Sequence, residues 1–248
     1  MIAALRSAAT YLAVALYVLL AGPPALLIAI TLKEIDLLYR VGHLGVRLGL
    51  ALSGMKVVVE GAANIQRHRA AVYAVNHASN VEPPIIFDAL HELFPRLRIV
   101  YKAELRKLPV LVRAFDLAGF VPLQRGKPEQ SLPAIDGAAQ ALRDGNSFLI
   151  FPEGTRSRTG ELLPFKKGGF ILALKGQSPV VPIAISGSRS AMRKGSPLIY
   201  PVTVRVRIGE PVETSGMTLD DRDALVEVVR GRIQALLAPS SESLITDR

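Results

Sequence analysis

Apolar residues fall along the chain in distinct textures. From Ser7 to Leu32 there are 26 consecutive residues without a charge, bounded by Arg6 and Lys33. As one helix this run would extend about 39 Å, enough to cross a bilayer. Gly22-Pro23-Pro24 interrupts it, and prolines inside a helix remove backbone donors. The pieces on either side, Ser7 to Ala21 and Ala25 to Leu32, would reach about 22 and 12 Å, each short of a hydrocarbon core of about 30 Å. The pattern predicts a kinked single span or a helix–turn–helix dipped into one leaflet. Arg6 and the apolar run would also suit a cleaved signal peptide, but nothing after the run looks secreted.

Ile35 to Ser53 sets Leu37, Leu38, Val41, Leu44 and Leu48 at helical spacing among Arg40 and Arg47, predicting an interfacial or packing helix ended by Gly54. From Lys56 the texture changes to short β-branched runs separated by helical patterns. Strands are predicted at Lys56–Glu60, Ala70–Val75, Arg98–Tyr101, Gly119–Leu123, Ser147–Phe151, Val180–Ser186 and Val202–Ile208. Helices are predicted at Pro84–Leu93, Leu105–Phe115, Glu129–Arg143, Lys166–Lys175 and Leu219–Leu237. Alternation of this kind makes an α/β fold, a largely parallel central sheet flanked by helices, behind an N-terminal membrane-anchoring helical segment. In the last helix Thr218 and Asp221 form a start signal, and Leu225, Val229, Ile233 and Leu236 make one core-facing stripe. The expected organisation is a membrane-associated segment over 1–53, one domain over 54–238 and a loose Ser-rich tail over 239–248.

Composition narrows the partners. Among 248 residues, 30 Lys and Arg against 21 Asp and Glu leave a net charge of +9, which favours an anionic partner. The absence of Cys removes disulfides, thiolate metal sites and a cysteine nucleophile. Four His, no pair of them at H-x-x-x-H spacing, make a zincin-type metal site unexpected. Nucleic acid is disfavoured: there is no Trp, aromatics are 6% of residues, and no basic tract interleaves with aromatics.

Chemistry concentrates where predicted strands end. Asn76-His77-Ala78-Ser79-Asn80-Val81-Glu82-Pro83-Pro84 follows the apolar run Ala71–Val75, which places His77 at the carboxyl edge of the sheet, where open α/β sheets bind ligands. The proline pair suits the first turn of the next helix, and Glu82, preceding a proline, is expected to be extended near that helix's N-terminus. A carboxylate bonded to one imidazole nitrogen fixes the tautomer and raises the basicity of the other, as a general base acting on a hydroxyl requires. Phe151-Pro152-Glu153-Gly154-Thr155-Arg156-Ser157-Arg158 follows another apolar strand. Gly154 admits close backbone approach, Thr155 adds a donor, and Arg156 and Arg158 supply forks matched to phosphate oxygens. Lys102 and Arg125 follow two further strands. Singly, each of these features also fits a satisfied loop histidine or a solvated surface cation. Together they describe a cleft for an anionic substrate whose hydroxyl must lose a proton.

These residues resemble the glycerolipid acyltransferase family, most of all its 1-acyl-sn-glycerol-3-phosphate acyltransferases. His77…Glu82 is similar to the family's H-x-x-x-x-D block, Gly119-Phe120-Val121 through Arg125 to its second block, Phe151–Ser157 to its third and Val181-Pro182-Ile183 to its fourth. Gly54-Met55-Lys56 leading into Glu60-Gly61, Lys102 with Glu104-Leu105, and Pro164-Phe165-Lys166-Lys167-Gly168 also fit. The departure is Glu82, where the glycerolipid enzymes usually have Asp; the lipid A acyltransferases look similar in using Glu. The extra methylene must be absorbed by the loop.

The resemblance implies acyl transfer from acyl-CoA or acyl-carrier protein to the free hydroxyl of 1-acyl-sn-glycerol-3-phosphate, giving phosphatidic acid, with no cofactor. It assigns His77 and Glu82 to catalysis and Lys102, Arg125, Glu153, Gly154, Thr155 and Arg156 to substrate binding. The implied partners are membrane lipids, a lysophospholipid acceptor and the acyl donor. The location it suggests is the inner membrane, with the catalytic domain on the cytoplasmic side. Neither Gly145-Asn146-Ser147 nor Gly176-Gln177-Ser178 completes a G-x-S-x-G elbow, so transfer without an acyl-enzyme is expected. Two alternatives stay open: another acceptor (glycerol-3-phosphate, another lysophospholipid or an amino-lipid) and a non-catalytic module binding anionic lipid.

Overall fold

Seven strands form one sheet: β1 (Lys56–Glu60), β2 (Val72–Val75), β3 (Leu97–Lys102), β4 (Val121–Leu123), β5 (Ser147–Ile150), β6 (Val180–Ser186) and β7 (Thr203–Ile208), in the order β1-β7-β6-β2-β5-β3-β4. A computed structural model describes residues 1–107, 109–123 and 128–238. Every neighbouring pair is parallel except β6 and β7. The five strands from β6 to β4 therefore run one way, and β1 with β7 runs the other. Strands β2 and β5 are buried throughout, and their apolar residues serve both faces, as parallel sheets covered on two sides require. Tyr73 and Val75 join Ile85, Leu90 and Ile183 in one core layer. Val72 and Ala74 join Phe148, Phe170, Leu225 and Val229 in the other.

The helices are α1 (Ile2–Thr31), α2 (Ile35–Ser53), α3 (Glu82–Ala89), α4 (Pro109–Leu117), α5 (Pro128–Arg143), α6 (Gly168–Gly176), α7 (Ser188–Ala191) and α8 (Arg222–Leu237). Helix α8 is preceded by a 3-10 turn whose Thr218 and Asp221 form the expected capping box, and its buried stripe is Leu225, Val229 and Ile233.

Three expectations are corrected. The first apolar run is not broken at Gly22-Pro23-Pro24: α1 continues through Pro23 and Pro24. The ladder persists on both sides of the missing donors, and α2 supports it laterally. Tyr17 donates its hydroxyl to the Val41 carbonyl at 2.8 Å, so packing rather than local propensity holds the segment helical. Of the helix expected over Leu105–Phe115, the described residues form a 3-10 segment, Ala103–Lys107, and α4, which opens on Pro109, where the first turn of a helix tolerates proline. Glu82 is the first residue of α3 rather than extended, with Pro83 and Pro84 behind it in the first turn. Its buried carboxylate bonds override the pre-proline bias.

The helical pair docks on the sheet domain through specific bonds. Ser7 Oγ accepts the Ile199 N–H and the Tyr11 hydroxyl donates to the Pro197 carbonyl, each at 2.8 Å. From α2, buried Tyr39 donates to the Leu97 carbonyl at 2.5 Å, and His43 Nε2 meets Asp88 Oδ1 at 2.7 Å.

Candidate active site

Because β2, β3, β5 and β6 are parallel, the loops leaving their carboxyl ends share one edge of the sheet. Strand β2 delivers His77 to that edge and β5 delivers Glu153. Asn76, between β2 and His77, pins the loop by exchanging two hydrogen bonds with the Ile185 backbone of β6, at 3.0 and 2.7 Å. The Ser79 hydroxyl donates to the Met192 carbonyl at 2.7 Å. The loop then turns into α3, and Glu82 in its first turn points back at the histidine.

His77 Nδ1 lies 2.6 Å from Glu82 Oε2. Glu82 is fully buried, and its side chain also accepts the Ala78 N–H, at 2.9 Å on Oε2 and 3.0 Å on Oε1, and the Ser188 hydroxyl, at 2.5 Å on Oε1. A carboxylate surrounded by donors only accepts, so Nδ1 carries the ring proton and Nε2 is left with its lone pair. The imidazole leans on the Phe151 ring, centroids 4.4 Å apart. Helix α3 starts at Glu82, two residues before the predicted start at Pro84.

Glu153, expected among the substrate-binding residues, is turned inward onto the backbone of two loops. It is 2% exposed, and its two oxygens accept the backbone N–H of His77 at 2.7 Å and of Leu163 at 3.0 Å. The Ser157 N–H returns a bond to the His77 carbonyl at 2.7 Å. Burial pushes the Glu153 carboxyl above its ordinary 4.5, and the two backbone donors offset this only in part. The folded chain thus holds this proton to higher pH than the unfolded chain does. The group's contribution to stability falls as pH rises from 4.5 through the raised value. Glu153→Gln would turn an amide N–H2 toward one of the two backbone donors and leave it unpaired, a cost of about 1–3 kcal/mol. The melting temperature in detergent is expected to drop, and this part of its pH dependence to vanish.

Gly154 has φ of 64°, and a Cβ there would sit 2.8 Å from Lys166 Cε. The glycine therefore admits both the turn and the lysine stem that crosses it, a role visible only in three dimensions. Thr155 is exposed and Arg156 is half-buried. The Arg156 carbonyl accepts from Lys194 Nζ at 2.8 Å, and Arg156 joins the wall of a cavity of about 980 Å³. Tyr17 and Val14 of α1, Val46 and Leu50 of α2, Phe120, and Asn80 and Val81 from the His77 loop also line this cavity. Among the described residues Arg156 is its only charged side chain. Lys102 ends β3, pairs with Glu104 at 3.1 Å and does not line the cavity. Arg125 lies outside the described residues. Sequence reasoning missed Ser188, which lies two residues past the end of β6, and gave Ser157 and Lys166 no role beyond the motifs that contain them.

The 1-acyl-sn-glycerol-3-phosphate acyltransferase of Limnanthes douglasii is 32% identical over 190 residues, covering 76% of this chain and 66% of that protein. The human beta form of an enzyme with the same name is 33% identical over 176 residues, covering 70% and 62%. The chain thus spans about two thirds, 66%, of the length of the former. Among solved structures, the 1-acyl-sn-glycerophosphate acyltransferase PlsC of Thermotoga maritima superposes with a TM-score of 0.78 at 26% identity, covering 96% of this chain and 98% of that one. The Acyltransferase family model matches residues 56–186, which contain the His77–Glu82 pair and the Glu153–Arg156 turn, and the chain belongs to that acyltransferase family.

Proposed function

We propose that this protein transfers an acyl group from a thioester donor, acyl-CoA or acyl-carrier protein, to the free hydroxyl of 1-acyl-sn-glycerol-3-phosphate, producing phosphatidic acid. The observation that carries the reading is the His77 Nδ1–Glu82 contact of 2.6 Å in a loop that also walls an apolar cavity containing Arg156. An apolar volume with one cation in its wall suits an amphiphile with a phosphate head, and about 980 Å³ is at the upper end of ordinary ligand sites. His77 Nε2 takes the hydroxyl proton as the acceptor oxygen attacks the thioester carbonyl. The tetrahedral intermediate collapses by breaking the C–S bond, and the imidazolium returns its proton to the leaving thiolate. Glu82 keeps the ring in the required tautomer and stabilises the imidazolium. Arg156 holds the acceptor phosphate, with Thr155 beside it; Lys102 and Arg125 remain candidate cations for the same anion.

The helical pair supports a membrane-borne substrate. Only 11% of the most apolar stretch of α1 is buried within the protein, and Leu12, Leu16, Leu19, Leu20 and Leu27 are exposed. Helix α2 carries Asp36, Arg40, His43 and Arg47, a polar stripe that suits the interface rather than the bilayer centre. We therefore place α1 in the hydrocarbon of one leaflet and α2 at its surface, with the catalytic domain on the cytoplasmic side, where thioester donors are available.

The test is acyl transfer by the purified protein in detergent with a labelled acyl thioester and a panel of acceptors. Turnover is expected with 1-acyl-glycerol-3-phosphate and not with monoacylglycerol or lysophosphatidylcholine. Preference for glycerol-3-phosphate or for a phosphate-free acceptor would overturn the acceptor assignment.

A further inference from the structure

We propose that Ser188 is a positioning residue of the catalytic pair, setting the ring of His77 through its hydrogen bond to Glu82; the inference rests on the acyl-transfer reading above. Glutamate has one more rotatable bond than aspartate, so a two-point grip on its carboxylate matters more. The Ala78 N–H is shared between both oxygens at 3.0 and 2.9 Å, and His77 occupies Oε2. The Ser188 hydroxyl, at 2.5 Å, is the remaining hydrogen bond on Oε1 among the described residues. Both partners are closed to solvent, Glu82 at 0% and Ser188 at 2% exposure, so water cannot replace the hydroxyl.

The serine is itself fixed. It follows Gly187, whose φ is 82° and where a Cβ would meet the Thr203 carbonyl oxygen at 2.4 Å, so this backbone lies directly against the start of β7. Four residues on, the Met192 N–H donates to the Ser188 carbonyl at 3.0 Å, and the Met192 carbonyl accepts from Ser79 of the histidine loop. The segment after β6 thus grips the catalytic loop at Ser79 and the catalytic carboxylate at Ser188. Without the hydroxyl, Oε1 keeps only the shared Ala78 N–H at 3.0 Å, and the carboxylate is held less firmly about its last bond. His77 then loses its orientation, while the cavity and Arg156 are untouched.

The experiment is steady-state kinetics on wild type, Ser188→Ala and Ser188→Cys, alone and in a Glu82→Asp background, with His77→Ala in the same assay. Cysteine leaves no void but is a weak donor, so it serves if alanine fails to fold. Either substitution is expected to lower kcat about 10- to 50-fold with both KM values within twofold. In the Glu82→Asp background, where the shorter side chain withdraws from Ser188, the same substitutions are expected to add less than threefold. Unchanged kcat, or an equal loss in both backgrounds, would overturn the role of Ser188 while an inactive His77→Ala left the acyl-transfer reading standing. Full turnover by His77→Ala would overturn both.

Discussion

His77→Ala is expected to reduce kcat for acyl transfer by about a thousandfold, within the range that a positioned general base contributes. The variant is informative because the loop is held by the backbone of residue 77, not by its ring. The N–H to Glu153 and the carbonyl bonded by Ser157 both survive truncation. KM for either substrate should move little, and the protein should still fold, with a melting temperature lowered by the lost bond to buried Glu82. Labelled acyl transfer together with thermal unfolding in detergent measures both. Turnover within tenfold of wild type in a folded His77→Ala protein would remove the base from the mechanism.

Arg156→Ala is expected to raise KM for 1-acyl-glycerol-3-phosphate by roughly 10- to 150-fold, the equivalent of about 1.5–3 kcal/mol for losing hydrogen bonds to a charged group. The turn should persist, because Lys194 holds the carbonyl of residue 156 rather than its side chain. Arg156→Lys keeps the charge but not the fork, and should recover only part of the loss. With monoacylglycerol as acceptor, any residual turnover should be equal in the wild type and the variant. A KM unchanged for the phosphorylated acceptor would move the phosphate elsewhere.

Much of this molecule was legible in its apolar pattern. The limits of β1 and β6 coincide with the runs that define them, Lys56–Glu60 and Val180–Ser186, because short β-branched runs bounded by polar turns admit few other readings. The N-terminal segment was less legible. Its proline pair argues locally for a break, and only the packing of Tyr17 on α2 shows why the helix continues. The site divided in the same way. His77 and Glu82 are five positions apart on one loop, so their spacing announces their meeting. Glu153 also advertises itself by spacing, yet its orientation toward the His77 and Leu163 backbone depends on how two loops cross. Ser188 is 106 positions from Glu82, and no local pattern could join them.

The reversed direction of β1 has a consequence for where the membrane helices arrive. Running against the central strands, β1 begins at the edge where those strands finish, so the chain leaving α2 at Ser53 joins the sheet on the same rim as His77. A β1 aligned with its central neighbours would have delivered the helices to the far rim, about 17 Å away for a five-residue strand. One change of strand direction thus decides that the greasy helices and the reactive imidazole look out from the same side of the molecule.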